Sequence, residues 1–172
     1  KCIISGSNYL EHLLMATQIL RIPKATKGCI VECGCYKGVS STNLSLVASL
    51  CNRKLEIFDS FKGLPQPASH DKAYFIDNNG TYTYKEGDWA GSLKEVQANI
   101  SQYGRIDVCN FNVGFFNSTL PQFDKKCAFI FLDVDLADSL KVCLKNLWPL
   151  LHEGSYLFTH EAADMQIVSL FF

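Results

Sequence analysis

Apolar positions along this chain fall into two rhythms. Short continuous apolar runs, which read as buried strands, alternate with longer segments whose apolar residues recur three and four apart, which read as helices. The first helix is expected from Asn8, with Glu11 as its capping-box partner, Leu10, Leu13, Leu14 and Thr17 on its inner face, and Pro23 as its stop. Residues 29–33 form a strand closed by Gly34. A helix over 40–51 follows, carrying Leu44, Val47, Ala48 and Cys51, then a strand over 55–58 that ends at Asp59. Ser92 and Glu95 form a second capping box for a helix through Leu93, Val96 and Ile100 that closes at Gly104. Residues 106–113 read as the third strand, ending at Gly114. Residues 128–132 are the fourth, ending at Asp133-Val134-Asp135. Leu140, Cys143, Leu144, Leu147 and Leu151 mark a helix closed near Gly154, and residues 156–159 give a fifth strand ending at His160-Glu161.

Strands that are apolar throughout and alternate with helices predict an α/β fold: a Rossmann-like open, mostly parallel sheet with helices on both faces. With no linker or repeat, the chain reads as one domain over 1–172, with an N-terminal helix region at 1–27. Residues 61–91 break the rhythm and are rich in Gly, Asn, Asp and Tyr. So long a connection is either a lid over a ligand or a poorly ordered insertion, and Tyr82, Tyr84 and Trp89 in it either pack the loop or cradle a substrate.

Composition narrows the function. At 48% hydrophobic and 19% charged, 172 residues can fold around a real core, and a net charge of -1 supplies no field for nucleic acid or an anionic membrane. Small molecules or another protein are the expected partners, and the oligomeric state stays open, a homo-oligomer included. Eight cysteines, six of them in apolar runs and none in a Cys-x-x-Cys pair, read as reduced buried thiols, which favours the cytoplasm. Asn79-Gly80-Thr81 is then a chance sequon. No stretch suggests a membrane span or signal peptide. The start at Lys1 and the stop in the apolar run 167–172 suggest a fragment.

Ligands of open α/β sheets bind beyond the carboxyl ends of the strands. Glu32, Asp59, Gly114, Asp133, Asp135, His160 and Glu161 are expected there. The first turn, Glu32-Cys33-Gly34-Cys35-Tyr36-Lys37-Gly38, lacks the middle glycine of a nicotinamide-dinucleotide site, and Glu32 would repel a pyrophosphate. S-adenosylmethionine suits it better, because its amine and sulfonium are cationic. Gly34 would let the backbone approach the ligand, amides at the following helix start would face its carboxylate, and Asp59 would take its ribose hydroxyls.

Several strings resemble the macrocin O-methyltransferase (TylF-like) family: Val31-Glu32-Cys33-Gly34-Cys35-Tyr36-Lys37-Gly38, Phe58-Asp59-Ser60-Phe61-Lys62-Gly63-Leu64-Pro65, Gly114-Phe115-Phe116 with Thr119-Leu120-Pro121, and Leu132-Asp133-Val134-Asp135-Leu136 with Ser139. The resemblance runs from Ile30 to Glu161, and the Asp-Ser-Phe-x-Gly-Leu-Pro string is its most specific part. It implies transfer of a methyl from S-adenosylmethionine to a hydroxyl of a small molecule, typically a sugar of a natural product. The implied cofactor residues are Glu32, Gly34, Tyr36, Gly38, Ser40, Asp59, Ser60, Gly114 and Asp133. Asp135 falls on the position of the base, and Asp133, His160 and Glu161 fall on those of the metal ligands.

His160-Glu161 stands where the family has an Asp-Asp pair, Ala162 where an aromatic follows it, and Ala137 where a tyrosine is usual. Imidazole is a poor partner for magnesium, so the site either takes manganese, iron or zinc or has lost its metal. Methyltransferases of this fold add two strands after the fifth, for which only residues 167–172 remain. Other readings stay open: Asp133 and Asp135 as helix caps, His160 as a satisfied buried histidine, and the whole chain as a non-catalytic nucleoside-binding relative or an NAD-linked oxidoreductase.

Overall fold

Capping at Asn8 starts the first element of the computed structural model, which describes residues 7–69, 71–75 and 80–161, without the side chains of 72–75 and 80–82. Asn8 Oδ1 accepts from the Leu10 and Glu11 amides at 2.9 and 3.1 Å, and Glu11 Oε2 accepts from the Asn8 amide at 2.8 Å. The reciprocal capping box is therefore formed, and α1 runs Tyr9–Arg21. Its expected inner face is corrected. Met15 and Ile19 are buried, whereas Leu10, Leu13 and Leu14 are half or more exposed. Apolar residues line α1 on every side, so periodicity alone could not choose the buried one.

The remaining elements are β1 (Cys29–Cys33), α2 (Val39–Leu50), β2 (Leu55–Asp59), β3 (Lys72–Phe75), β4 (Gly80–Thr83), α3 (Leu93–Tyr103), β5 (Cys109–Val113), α4 (Phe116–Thr119), β6 (Cys127–Leu132), α5 (Ala137–Leu147) and β7 (Leu151–Thr159). Two boundaries differ from expectation. Residues 106–108 are a 3-10 turn, so the third strand begins at Cys109. Helix α5 stops at Leu147, ahead of a 3-10 turn containing Pro149, so Leu151 and Gly154 belong to β7, where Leu151 pairs with Cys127. Proline cannot donate the amide a continuing helix needs. Ser92 caps α3 by accepting from the Glu95 amide at 3.2 Å.

Strands β5-β2-β1-β6-β7 form one sheet in that order, every pair parallel. The order reverses direction between β1 and β6. That switch point opens a crevice at the strands' carboxyl ends. Strands β1 and β6 are buried along their whole length, as their apolar sequences require. One core layer centres on Ile30, Leu44, Ala48, Ile57, Ile100 and Phe129, the other on Val31, Phe58, Ile130, Leu132, Leu140 and Leu147. β3 and β4 pair antiparallel within the insertion. Residues 162–172, including Ala162, lie outside the described part. Among the described residues no helix is long and apolar enough to cross a membrane.

Candidate active site at the sheet switch point

The crevice is built by the two central strands. Glu32 lies on β1 with its side chain wholly buried. Ser41, on the first turn of α2, donates to Glu32 Oε2, while Oε1 has no hydrogen-bond partner among the described residues. Burial pushes the Glu32 carboxyl up to about 7; the Ser40 and Ser41 hydroxyls pull back, and the charge of Asp59 adds to the rise. Ser40, an expected cofactor residue, thus sits beside Glu32. Ser41 and its role were not anticipated from the sequence.

Asp59 ends β2 with both oxygens engaged by backbone: Oδ2 accepts from the Cys35 amide at 2.8 Å and Oδ1 from the Phe61 amide at 2.7 Å. Those bonds tie the first crevice turn to the second and leave further lone pairs for a ligand. Ser60 is a turn residue. Its hydroxyl donates to Gly63 O at 2.8 Å and accepts from the Lys62 amide at 3.0 Å. Gly114, at the end of β5, donates to Asp59 O at 2.9 Å.

Gly34 has a structural demand beside the expected ligand approach. It lies at φ +83°, and a Cβ there would stand 1.8 Å from Asp133 O, so the glycine is required by the close approach of the β6 backbone. Gly38 likewise faces Val96 on α3, whose Cγ1 would lie 2.9 Å from an added Cβ. Tyr36 projects toward the insertion: its ring meets Trp89 edge-on at 5.8 Å, and Lys37 Nζ lies 5.2 Å from its centroid.

After β6 the chain turns sharply through Asp133, Val134 and Asp135, with Asp135 at φ +59°, a left-handed conformation uncommon outside glycine. Glu161 holds that turn. Its Oε1 accepts from the Val134 amide at 2.5 Å and the Asp135 amide at 3.0 Å, and Thr159 Oγ1 donates to Oε2. Asp133 Oδ1 lies 3.3 Å from His160 Nδ1, whose Nε2 is 3.6 Å from Glu11 Oε2 on α1. The Asp133 carboxyl is pushed well above the usual carboxylate range by burial and then by the charges of Glu161, Asp135, Glu32 and Glu11. Asp135 is raised to about 6, chiefly by burial and Glu161, with a hydrogen bond from Tyr84 opposing.

The reading of Asp133 and Asp135 as helix caps is not met. The residue capping α5 is Leu136, without a side-chain bond, and Asp71 from the insertion accepts from the Ala137 amide at 3.1 Å. The insertion also reaches the crevice through Tyr84, whose hydroxyl donates to Asp135 Oδ1 at 3.2 Å. Its base is pinned where the Leu64 amide donates to Asp88 O and the Gly87 amide to Leu64 O. The described part of 61–91 thus meets the DxD turn and the start of α5 through Tyr84 and Asp71.

The metal expectation does not fit this geometry. Among the described residues no three His, Cys, Asp or Glu side chains are grouped to hold an ion. Of the residues expected to do so, Glu161 spends its carboxylate on two backbone amides and a hydroxyl, and His160 lies between two carboxylates. A cationic nucleoside fits better. Glu32, Asp59, Asp133 and Asp135 ring the switch point, three of them with raised pKa values that a positive ligand would relieve, and Glu32 Oε1 awaits a donor.

An open parallel sheet with this strand order and these acids at its switch point is the Rossmann-like architecture of class I methyltransferases. Two solved methyltransferases share the fold: the O-methyltransferase NovP superposes with a TM-score of 0.70 at 21% identity, over 94% of this chain and 72% of NovP. CalS11, a calicheamicin methyltransferase, gives 0.66 at 20% identity, over 87% of this chain and 63% of CalS11. The model of the macrocin-O-methyltransferase (TylF) family matches residues 3–170, and the chain belongs to that family. A tetracenomycin-C rhamnosyl 4'-O-methyltransferase of Streptomyces olivaceus is 32% identical over 163 residues, covering 92% of this chain and 61% of that protein. The mycinamicin III 3''-O-methyltransferase of Micromonospora griseorubida is 26% identical over 87% of this chain and 59% of its own length. The chain thus spans about three fifths of these curated relatives.

Proposed function

We propose that this chain is the cofactor-binding part of an S-adenosylmethionine-dependent O-methyltransferase whose acceptor is a hydroxyl on a small molecule, with a sugar of a natural product as the substrate class. The observation that carries the proposal is the crowd of carboxylates at the switch point, Glu32 wholly buried and Asp133 and Asp135 half-buried, raised in pKa by desolvation and by one another. Such a site favours a cation and disfavours the pyrophosphate of a dinucleotide. The family and the named sugar O-methyltransferase relatives support the reaction class.

When bound, S-adenosylmethionine supplies a methyl group already activated by its sulfonium. Glu32 faces the ligand's ammonium through Oε1, with Ser41 holding the other oxygen. Asp59, fixed by the Cys35 and Phe61 amides, accepts from the ribose hydroxyls. Asp135 would take the acceptor hydroxyl's proton, while the cofactor would supply the methyl by releasing it from its sulfonium sulfur. The Tyr84 hydroxyl and the Glu161-bound turn hold that carboxylate in place. A carboxyl raised to about 6 is ionised at neutral pH yet more basic than an ordinary aspartate, which suits a general base. The insertion over 61–91 acts as a lid on this side, and α1 supplies Glu11 beside His160.

The test is transfer of labelled methyl from S-adenosylmethionine to a panel of glycosides and nucleotide sugars. Transfer to a sugar hydroxyl that Asp135→Asn reduces by about 10²–10⁴-fold is the expected result. An unchanged rate in that variant would remove Asp135 as the base.

A further inference from the structure

At the opposite end of the sheet from the acidic crevice lies an open cleft of about 470 Å³, lined by Cys29, Arg53, Lys54, Glu56, Lys125 and Lys126 among others. Cys29 starts β1, Cys127 starts β6, and the two are partners in the parallel pairing, at a point where the register shifts between Cys29 and Ile30. Parallel partners point to the same face, and both thiols belong to the same core layer. Neighbouring strands stand about 4.7–4.9 Å apart, inside the Cα separation of about 4.4–6.8 Å that a disulfide needs. Each thiol also leans on an adjacent carbonyl: Cys29 Sγ lies 3.4 Å from Lys126 O, and Cys127 Sγ lies 3.5 Å from Lys125 O.

We propose that Cys29, which lines this cleft, and Cys127, buried behind it, are a redox-active dithiol that anionic small-molecule disulfides oxidise to a cross-strand disulfide. The rim carries four basic residues and one carboxylate. Lys125 pairs with Glu56 at 2.6 Å. Arg53 donates to Gly28 O and Thr26 O, Lys54 to Asp107 O, and Lys126 to Pro149 O. Those acceptors are neutral carbonyls, so three positive charges remain to draw in an anion. A hydrogen bond from Cys127 lowers the Cys29 pKa, and burial and the Glu56 charge oppose it. Cys29 lines the cleft and Cys127 is fully buried, so Cys29 is the attacking thiolate and Cys127 the resolving thiol.

The chemistry balances. The Cys29 thiolate attacks one sulfur of the disulfide, breaking its S–S bond, and the departing thiolate takes up a proton. The Cys127 thiol then loses its proton and attacks Cys29 Sγ, breaking the mixed disulfide and releasing the second thiol. The protein gives up two electrons and two protons, and the reagent is reduced to two thiols. The other neighbouring pair, Cys33 and Cys143, is buried as deeply as Cys127, but neither residue lines the cleft, and burial pushes the Cys33 thiol far up. Burial also raises Cys109, to about 12.

Glutathione disulfide, an anionic probe, tests this on the folded chain carrying Cys2→Ser, with thiol alkylation and peptide mass mapping. The expected product is one internal bond joining Cys29 to Cys127. Cys127→Ser should instead trap glutathione on Cys29, and the rate should fall as salt screens the rim. Modification confined to Cys51 or Cys109 would overturn the proposal, as would Cys127→Ser protein that carries no glutathione on Cys29. A salt-independent rate would overturn the assigned role of the basic rim.

Discussion

Asp135 sits at φ +59° with its own amide and that of Val134 bound by Glu161, and its carboxylate accepts from Tyr84. Asparagine tolerates the left-handed region, so Asp135→Asn should fold normally and separate chemistry from binding. Its affinity for S-adenosylmethionine, measured calorimetrically, should stay within about twofold while turnover collapses. Glu32 makes a different prediction. Its folded pKa of about 7 exceeds the ordinary 4.5, so the folded chain binds more protons between those values. Glu32 therefore supports stability below pH 4.5, and that support is lost as pH rises through 7, by up to about 3 kcal/mol. Glu32→Gln should flatten this part of the curve of melting temperature against pH. An unaltered slope would show that Glu32 is not the buried acid described.

At the scale of elements, the strands and most helices were legible because continuous apolar runs ended in glycine or acids. The ends of β1, β2 and β6 therefore located Glu32, Asp59, Asp133 and Asp135 before any coordinates. What the sequence hid was contact between distant segments. Nothing in it links Tyr84 to Asp135, or assigns Ser41 to Glu32, Glu11 to His160 and Glu161 to the DxD amides. The contact of Gly34 with Asp133 O was also hidden, since only the sheet order brings the two together. The α1 face failed because leucines surround the helix, and the end of α5 because Leu151 keeps the helical spacing past Pro149. Two predictions belong here. Gly34→Ala should prevent folding or lower the melting temperature steeply, because a Cβ 1.8 Å from a backbone oxygen cannot be relieved by a side-chain shift. Tyr84→Phe removes the bond that lowers the Asp135 pKa, so the acid limb of kcat/KM should move to higher pH. A limb that stays in place would detach the insertion from the base.

Across the whole molecule, charge is distributed by the ends of the sheet. Acids crowd the carboxyl end, basic residues rim the amino end, and the chain's net charge of -1 hides both. A cation entering the acidic crevice must lower the raised carboxyl pKa values, and binding near neutral pH then expels protons. Titration calorimetry of S-adenosylmethionine near pH 6.5, in buffers of different ionisation enthalpy, measures that directly. Binding with net proton release is predicted, with weaker binding and smaller release for S-adenosylhomocysteine, which lacks the sulfonium charge, and none for NADH. Binding without proton release, or preference for NADH, would contradict the account.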